Sequence, residues 1–388
     1  MIGKIKDGQS DALPEVAIFR HNLFRVSEPF IVQQAQQLRR HIPLYLGRLR
    51  FGAAPDGARA LALEDIDPRW VLPRVGLQML TRNPKSYQRL LTGHRPALLH
   101  AHFGIEGVYA LPLAKRLGIP LVTTFHGFDA TLMTAGFLLS PAWTNYPLFR
   151  GQLAAQGDLF LCASAFIRER VLAMGFPEER TRLHYIGVDC EAIRPREAGE
   201  ETQMILHVAR LAEVKGTEYL IRAFATLPPR HRDAELVLIG EGPLRRRLEA
   251  LAKSLGIADR VHFLGAQPHA AVLDWMRKAA ILVLPSVRTL SGRVEGLGIV
   301  LLEAAATGVP VIGSRIGGIP EGVHDGVNGL LVPSRDAGAL AASIADLLDD
   351  PAARVRMGQA ARALVEEKFD LRRQTEILET HYDMLLSR

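Results

Sequence analysis

Two carboxylates, Glu295 and Glu303, stand on either side of a glycine-rich helix start in Glu295-Gly-Leu-Gly-Ile-Val-Leu-Leu-Glu303, which runs on into Gly308-Val-Pro-Val-Ile-Gly313-Ser314. The free N–H groups at a helix start carry partial positive charge and favour a phosphate. Carboxylates accept hydrogen bonds from the paired hydroxyls of a ribose or hexose. One segment thus accounts for both kinds of group in a sugar nucleotide. Glutamates at this spacing also recur by chance on exposed helices, so the weight falls on their neighbours. Gly296 and Gly298 sit where the helix should begin, and the apolar run between Gly308 and Gly313 has the form of a central parallel strand.

Other segments offer chemistry at strand ends. In Val208-Ala-Arg210-Leu-Ala-Glu-Val-Lys215-Gly216, Arg210 supplies a planar fork and Lys215 a mobile point charge, together enough to offset the charge on a departing diphosphate. Their plain reading is two solvated loop cations. Phe125-His126-Gly127-Phe128-Asp129 places a histidine at a strand end, with Gly127 allowing a tight turn and Asp129 available to orient or charge the imidazole. His100 and His102 face one side of a strand but have no third ligand, and Asp65-Ile-Asp67 reads as a surface turn, so no metal is expected. Gly240-Glu-Gly242-Pro243 lacks the third glycine of a dinucleotide fingerprint. Arg288 and Arg293, in the loop before Glu295, read as solvated, with an acidic sugar or an acceptor phosphate as the functional alternative. The aromatic stretch from Phe137 through Trp143 to Phe149 reads as core, with membrane or lipid-acceptor contact as the second reading.

The elements that must position these groups alternate. Glu15–Phe19 reads as a first strand, followed by a helix opened by Ser27 as N-cap with Pro29 in its first turn and running to about Arg40. Then come strand 97–102, helix 107–117, strand 120–125, and strand 159–164 ending at Ser164, which caps a helix through Met174. A polar, Pro-containing stretch over 189–202 interrupts this rhythm and marks a boundary. A second series follows, with strands at 204–208, 235–239, 261–264 and 281–284 and helices at 217–227, 244–255 and 269–277. Helices over 337–348 and 352–367 and a last one after Asp370 close the chain. The predicted fold is α/β, two doubly wound Rossmann-like domains over 1–193 and 194–370 facing across a cleft, with a helix over 371–388 packing back on the first.

With 388 residues and 48% hydrophobic content the chain can bury two cores. Residues 1–190 carry 22 Lys and Arg against 15 Asp and Glu, and the remainder carries 25 against 26. The basic half fits an anionic membrane surface or a phosphate-bearing acceptor, or is a solvated surface of no consequence; no nucleic-acid motif accompanies it, and nucleic acid is not an expected partner. No apolar run is long enough to span a bilayer, residues 1–7 lack a signal-peptide core, and Cys162 and Cys190 read as packing residues, so a cytoplasmic location is expected.

Taken together, Arg210 and Lys215, Glu295 and Glu303, His126-Gly127 and Gly317-Gly-Ile-Pro-Glu321 resemble the retaining glycosyltransferases of family 4, also called group 1, which have the two-domain GT-B fold. The family's glycine-rich loop after the first strand is missing. Phe24-Arg25-Val-Ser27-Glu28-Pro-Phe30-Ile stands in its place, similar to members that build bacterial exopolysaccharides of the colanic-acid type. The resemblance implies an N-terminal acceptor domain and a C-terminal nucleotide-sugar domain. It implies that Arg210 and Lys215 bind the donor diphosphate, Glu303 the ribose, and Glu295 with the backbone of Gly296, Leu297 and Gly298 the transferred sugar, while His126 lines the sugar pocket from the opposite domain. Arg25, Ser27 and Glu28 are the acceptor candidates. It further implies a hexosyl donor, UDP being the commonest nucleotide, a saccharide or polyprenyl-phosphate-linked acceptor, peripheral contact with an anionic inner membrane, and no metal or cofactor. A catalytically silent sugar-nucleotide-binding subunit, an epimerase and a phosphorylase on the same fold are the competing readings.

Overall fold

Both faces of the strands are apolar, and both are covered. In β1 (Glu15–Phe19), Val16 and Ile18 enter one core while Ala17 and Phe19 enter another, all four almost fully buried. Parallel sheets require this cover, because the helices that connect their strands lie on both sides. The computed structural model describes residues 13–25, 27–138, 143–197, 199–200 and 202–387. The reading of residues 1–7, part of the aromatic segment (139–142), and positions 198 and 201 of the predicted linker lie outside the described residues.

The first sheet comprises β1, β2 (Ile42–Gly47), β3 (Arg59–Ala62), β4 (Leu98–His102), β5 (Leu121–Phe125), β6 (Leu159–Cys162) and β7 (Thr181–Leu183), in the order β3-β2-β1-β4-β5-β6-β7. The second comprises β8 (Met204–Val208), β9 (Glu235–Ile239), β10 (Val261–Gly265), β11 (Ile281–Leu284), β12 (Val311–Ser314) and β13 (Gly329–Val332), in the order β10-β9-β8-β11-β12-β13. All pairings in both sheets are parallel. Each sheet reverses its winding beside its first strand, β1 against β4 and β8 against β11. Ligands of such sheets bind at the carboxyl ends of the strands, at that reversal.

A mixed apolar cluster joins the halves: Ala163, Ile186, Val188 and Ile193 pack with Leu297, Leu302, Val365 and Phe369. The last helix, Leu371–Leu386, lies against the first sheet, where Leu378, Tyr382 and Leu385 share a core with Val16, Ile18 and Tyr45. Its Tyr382 hydroxyl meets His100 Nδ1 at 2.5 Å, and Glu379 accepts the backbone N–H groups of Arg39 and Arg40 at 2.9 and 2.6 Å. Cys162 and Cys190 are free and buried.

Three local expectations change. The helix after β1 spans Pro29–Gln36 and its N-cap is Glu28, not Ser27; it stops short of Arg40 because the chain must turn to enter β2. The helix after β4 begins at Gly104, a turn earlier than its apolar pattern, and the Asp129 carboxylate takes the Gly104 N–H at 2.8 Å. Helix Val71–Thr81 was hidden by Pro73 and Gly76, both breakers in a sequence pattern, and the edge strand β3 by its plain Arg-Ala-Leu-Ala sequence. Asp65 is held by Arg50 and Asp67 accepts from the Arg69 N–H, as a surface turn requires.

Candidate active site

The carboxyl ends of the two sheets enclose a cleft of about 1360 Å³. His126, Glu295, Arg210, Lys215, Gly296, Leu297, Gly298, Glu303, Arg25, Ser27 and Glu28 all line it, so the structure brings the donor, sugar and acceptor candidates into one space, while Asp129, Arg288 and the Gly317–Glu321 motif lie outside its lining.

On the C-terminal side, β8 delivers Arg210 and Lys215 in the loop that follows it, and β11 delivers the loop ending at Glu295. Lys215 Nζ lies 2.5 Å from Glu295 Oε2, and Ser286 Oγ donates to the same oxygen at 3.3 Å. Arg210 is exposed and has no carboxylate partner among the described residues. Gly298 is the N-cap of helix Ile299–Ala306 at φ +80°, a conformation glycine adopts without strain, and this aims the first N–H groups of the helix at the cleft. Glu303, one turn further on, is met by His269 Nε2 at 2.8 Å, and that hydrogen bond raises the imidazole's pKa against the opposing effect of burial. Both glutamates are therefore already partnered by a cation or an imidazole.

Gly296 is a close contact between the two halves. A Cβ there would stand 2.5 Å from the His126 carbonyl oxygen, so a side chain would wedge the cleft open. Behind it, the Gly318 N–H donates to the Glu295 carbonyl at 3.2 Å, and the pair Gly317-Gly318 is required because a Cβ at either would stand within 2.1 Å of the Glu295 or Gly296 carbonyl oxygen. Glu321 then crosses to the other half: its carboxylate accepts the N–H groups of Ala165 and Phe166 at 2.7 and 2.9 Å and the Tyr185 hydroxyl at 3.0 Å. A carboxylate at the start of helix Ala165–Ala173 is favoured by the helix dipole.

On the N-terminal side, Asp129 accepts from the backbone N–H groups of His126 and Gly127 at 3.3 and 2.9 Å, fixing the turn rather than the imidazole. The imidazole instead stacks on His102, with His102 Nδ1 and His126 Nε2 3.0 Å apart, and packs on Phe103 and Phe30. Burial, with neighbouring His100 and Arg20, holds the His126 pKa well below its ordinary value, so the ring is neutral. Burial pushes Asp129 up to about 6. Phe103 holds φ +76° at the head of helix Gly104–Leu117, a backbone state rare for a non-glycine, and sits beneath the Arg20 guanidinium.

Several cleft residues lay outside the sequence reading. Arg20, the residue after β1, pairs with Glu28 at 2.9 Å and with Glu106, which also meets His21 at 3.1 Å. Their positions immediately after a strand and in the first turn of a helix were the available signals. Arg293 corrects the solvated reading of its loop: it lines the cleft, its Nε is buried without a hydrogen-bond partner, and burial together with the nearby Arg210 charge lowers its pKa. In the aromatic segment Phe137 and Tyr146 are fully buried against each other, while Trp143 packs on Phe128 and faces the cleft. No group of three or more His, Cys, Asp or Glu among the described residues is placed to hold a metal ion.

Paired Rossmann-type sheets with cationic strand-end loops and a glycine-started helix around a shared cleft define the GT-B class of sugar-transferring proteins. The chain belongs to the group 1 glycosyltransferases: the model for that family matches residues 190–364, and the model for Glycosyltransferase Family 4 matches residues 30–192. It is 35% identical over 286 residues to the amylovoran biosynthesis glycosyltransferase AmsK of Erwinia amylovora, covering 72% of this chain and 69% of that one. It is 35% identical over 252 residues to the putative colanic acid biosynthesis glycosyltransferase WcaL of Salmonella typhimurium, covering 63% of this chain and 60% of that relative. Among solved structures, HepE of Anabaena in complex with UDP and glucose superposes with a TM-score of 0.74 at 19% identity, over 96% of this chain and 100% of that one. Sucrose-phosphate synthase of Thermosynechococcus elongatus gives 0.76 at 22%, over 96% and 99%. At these identities the two structures speak for the fold.

Proposed function

We propose that this chain transfers a hexosyl group from a nucleoside-diphosphate sugar, UDP-linked, to a saccharide or polyprenyl-phosphate-linked acceptor in the assembly of a bacterial surface polysaccharide, with retention of configuration and without a metal. Residues 194–370 take the donor, residues 1–193 the acceptor, and the helix within 371–388 ties the two together from the cytoplasmic, membrane-facing enzyme's first sheet. The observation that carries the donor assignment is the unpartnered Arg210 beside the Lys215–Glu295 pair, at the start of a helix whose N–H groups face the cleft. Arg210, Lys215 and the helix start hold the diphosphate. Glu303, steadied by His269, takes the ribose hydroxyls, and Glu295 with the backbone of Gly296, Leu297 and Gly298 takes the hexose.

Neither glutamate is free to act as a nucleophile, which favours a mechanism in which the diphosphate departs, an oxocarbenium-like sugar develops, and the acceptor attacks from the same face. The leaving phosphate accepts the acceptor's proton. Neutral His126 lines the far wall and excludes water, while Arg25, Ser27 and Glu28 approach the acceptor. AmsK and WcaL are named for polysaccharide biosynthesis and HepE is seen with UDP and glucose, which supports the acceptor and donor classes. The test is a thermal-shift series with UDP, GDP and ADP and their hexoses, followed by turnover of the Arg210→Ala/Lys215→Ala variant. A uridine ligand at a hundred times its Kd should stabilise by about 2.7 kcal/mol, and the double variant should lose at least about a hundredfold in kcat, given what loss of one transition-state donor costs. Full turnover by that variant removes the assignment.

A further inference from the structure

Helix Val71–Thr81 is inverted for a helix of a protein in water. Its Gln78 is buried, and Val75 and Met79 line the cleft, but Leu72, Leu77 and Leu80 are 74%, 58% and 78% exposed, and Trp70 at its N-cap is 61% exposed. Pro73 shares that outward side and half-buried Gly76 opens onto free space, so among the six exposed residues from 69 to 80 Arg69 alone carries a charge. Single exposed leucines are ordinary; four large apolar side chains on one helix face are not. Helix Asn145–Gln156 is tied to the end of this helix, Asn145 donating to the Met79 carbonyl at 2.6 Å and Arg82 stacking on Phe149, and it adds Leu148 at 65% exposure.

The charge around this face is dominated by one sign, with Asp67, paired with Arg69 at 3.2 Å, as the acid at its N-terminal edge. From Pro68 to Ile105 there is no Asp or Glu, while Arg69, Arg74, Arg82, Lys85, Arg89 and Arg95 fall in the same interval. Lys85 and Arg89 are exposed. An apolar helix face flanked by cations, with a tryptophan at its end, is complementary to the interface of an anionic bilayer, where apolar side chains enter the acyl boundary and cations meet the headgroups. A protein partner of ordinary mixed charge would leave these cations unmatched. No helix among the described residues is long and apolar enough to cross a membrane, so such contact is interfacial.

We propose that the outward face of helix Val71–Thr81, with Trp70, is the surface by which this protein docks on an anionic lipid bilayer. Resting on the acceptor reading above, the inference gives the helix two jobs. Its outer side lies on the lipid, and its inner side, through Val75 and Met79, forms an apolar wall of the acceptor half of the cleft, together with Trp143 and Phe128. A lipid-linked acceptor then passes along one helix from bilayer to cleft.

The test is flotation of the purified full-length chain with vesicles of phosphatidylglycerol and phosphatidylethanolamine, against vesicles of phosphatidylcholine alone. The wild type should float with the anionic vesicles only, and Leu77→Glu/Leu80→Glu should bind them at least about tenfold less, because two exposed leucines no longer enter the lipid. Thermal stabilisation by UDP in the same two proteins should be equal, since neither leucine lines the cleft. Equal flotation of variant and wild type overturns the docking face. So does a variant that changes the oligomeric state in solution while flotation is unaffected, which would assign the face to a second copy of the chain. Loss of UDP stabilisation in both proteins with flotation intact would sink the donor reading and leave the docking face standing.

Discussion

The two halves share one strand order but treat their polar groups differently. In the C-terminal half the charges that reach the cleft include the simple pairs Lys215 with Glu295 and Glu303 with His269, and Arg210 and Arg293 stand near each other without a carboxylate partner among the described residues. In the N-terminal half they are buried and interlocked: Arg20 holds Glu28 and Glu106, Glu106 holds His21, and Arg48 donates to Gln78. The run His126, His102, His100 and Tyr382 extends that network from the cleft to the last helix. One side is a set of strand-end loops completed by its ligand, and the other is a buried network whose members already hold one another, although single atoms of it, among them Glu106 Oε2 and His21 Nε2, have no hydrogen-bond partner. Buried polar networks fix a single arrangement at a high cost of disruption, so the halves should fail differently.

Acid offers the broadest separation. Burial lowers His21 and His184 to about 4 and holds His100, His102 and His126 well below the ordinary value, all in the N-terminal half; in the C-terminal half His207 alone is lowered to about 4. A group with a lowered folded pKa binds fewer protons folded than unfolded, so its stability is present above pH 6.5 and drains away as pH falls towards 4. His269 has the opposite sign, and its contribution is lost as pH rises through its raised folded pKa. Asp129, raised to about 6, partly opposes the buried histidines, because its protonation on acidification favours the folded state. The expected outcome on moving from pH 7 to pH 5 is earlier loss of amide protection in β4 and β5 than in β9 and β11. Simultaneous loss in both sheets would erase the distinction.

A single substitution makes the same point on a smaller scale. Arg20→Met keeps length and removes the guanidinium, leaving the Glu106 carboxylate, with only 3% of its side chain exposed, beside Glu28 without its cation. Breaking a buried pair on one side costs about 3–5 kcal/mol, which urea unfolding followed by far-UV circular dichroism would register as a lower midpoint. A change under about 1 kcal/mol would mean that the network is solvated in practice and resembles a surface pair.

The contrast also explains what could be read from the chain. Five of the six C-terminal strands were legible almost residue for residue, because runs such as β8, β9 and β11 are short, apolar and closed by glycine, proline or charge, while β13 escaped. The donor-side candidates were legible because they fall at strand ends and a helix start, positions that sequence periodicity locates. In the N-terminal half, β2, β3 and helix Val71–Thr81 escaped: the strands carry Pro43 and an alanine-rich edge, and the helix is apolar on the side that should be polar. Partners were harder than positions. That His269 steadies Glu303, that Arg293 turns into the cleft beside Arg210, and that Asp129 holds a backbone turn depend on how elements from distant parts of the chain meet.

The weakest expected effect tests the hinge between the halves. Glu321 lies on the C-terminal side but accepts two N–H groups at the start of helix Ala165–Ala173 and the Tyr185 hydroxyl, so its carboxylate joins the open half to the rigid one. Glu321→Gln keeps the shape, removes the charge, and turns an NH2 group toward one of those donors. Partly exposed contacts of a carboxylate with a helix start contribute about 0.3–1 kcal/mol, too little to unfold either core. If the contact sets how the halves close, amide exchange at Ala165 and Phe166 should quicken and kcat/KM should fall a few-fold, about what 1 kcal/mol allows, with the unfolding midpoint nearly unchanged. Slower turnover with unchanged exchange at those two amides would place the effect elsewhere. Gly296 pressed against the His126 carbonyl would then remain as the contact that sets the approach of the two halves.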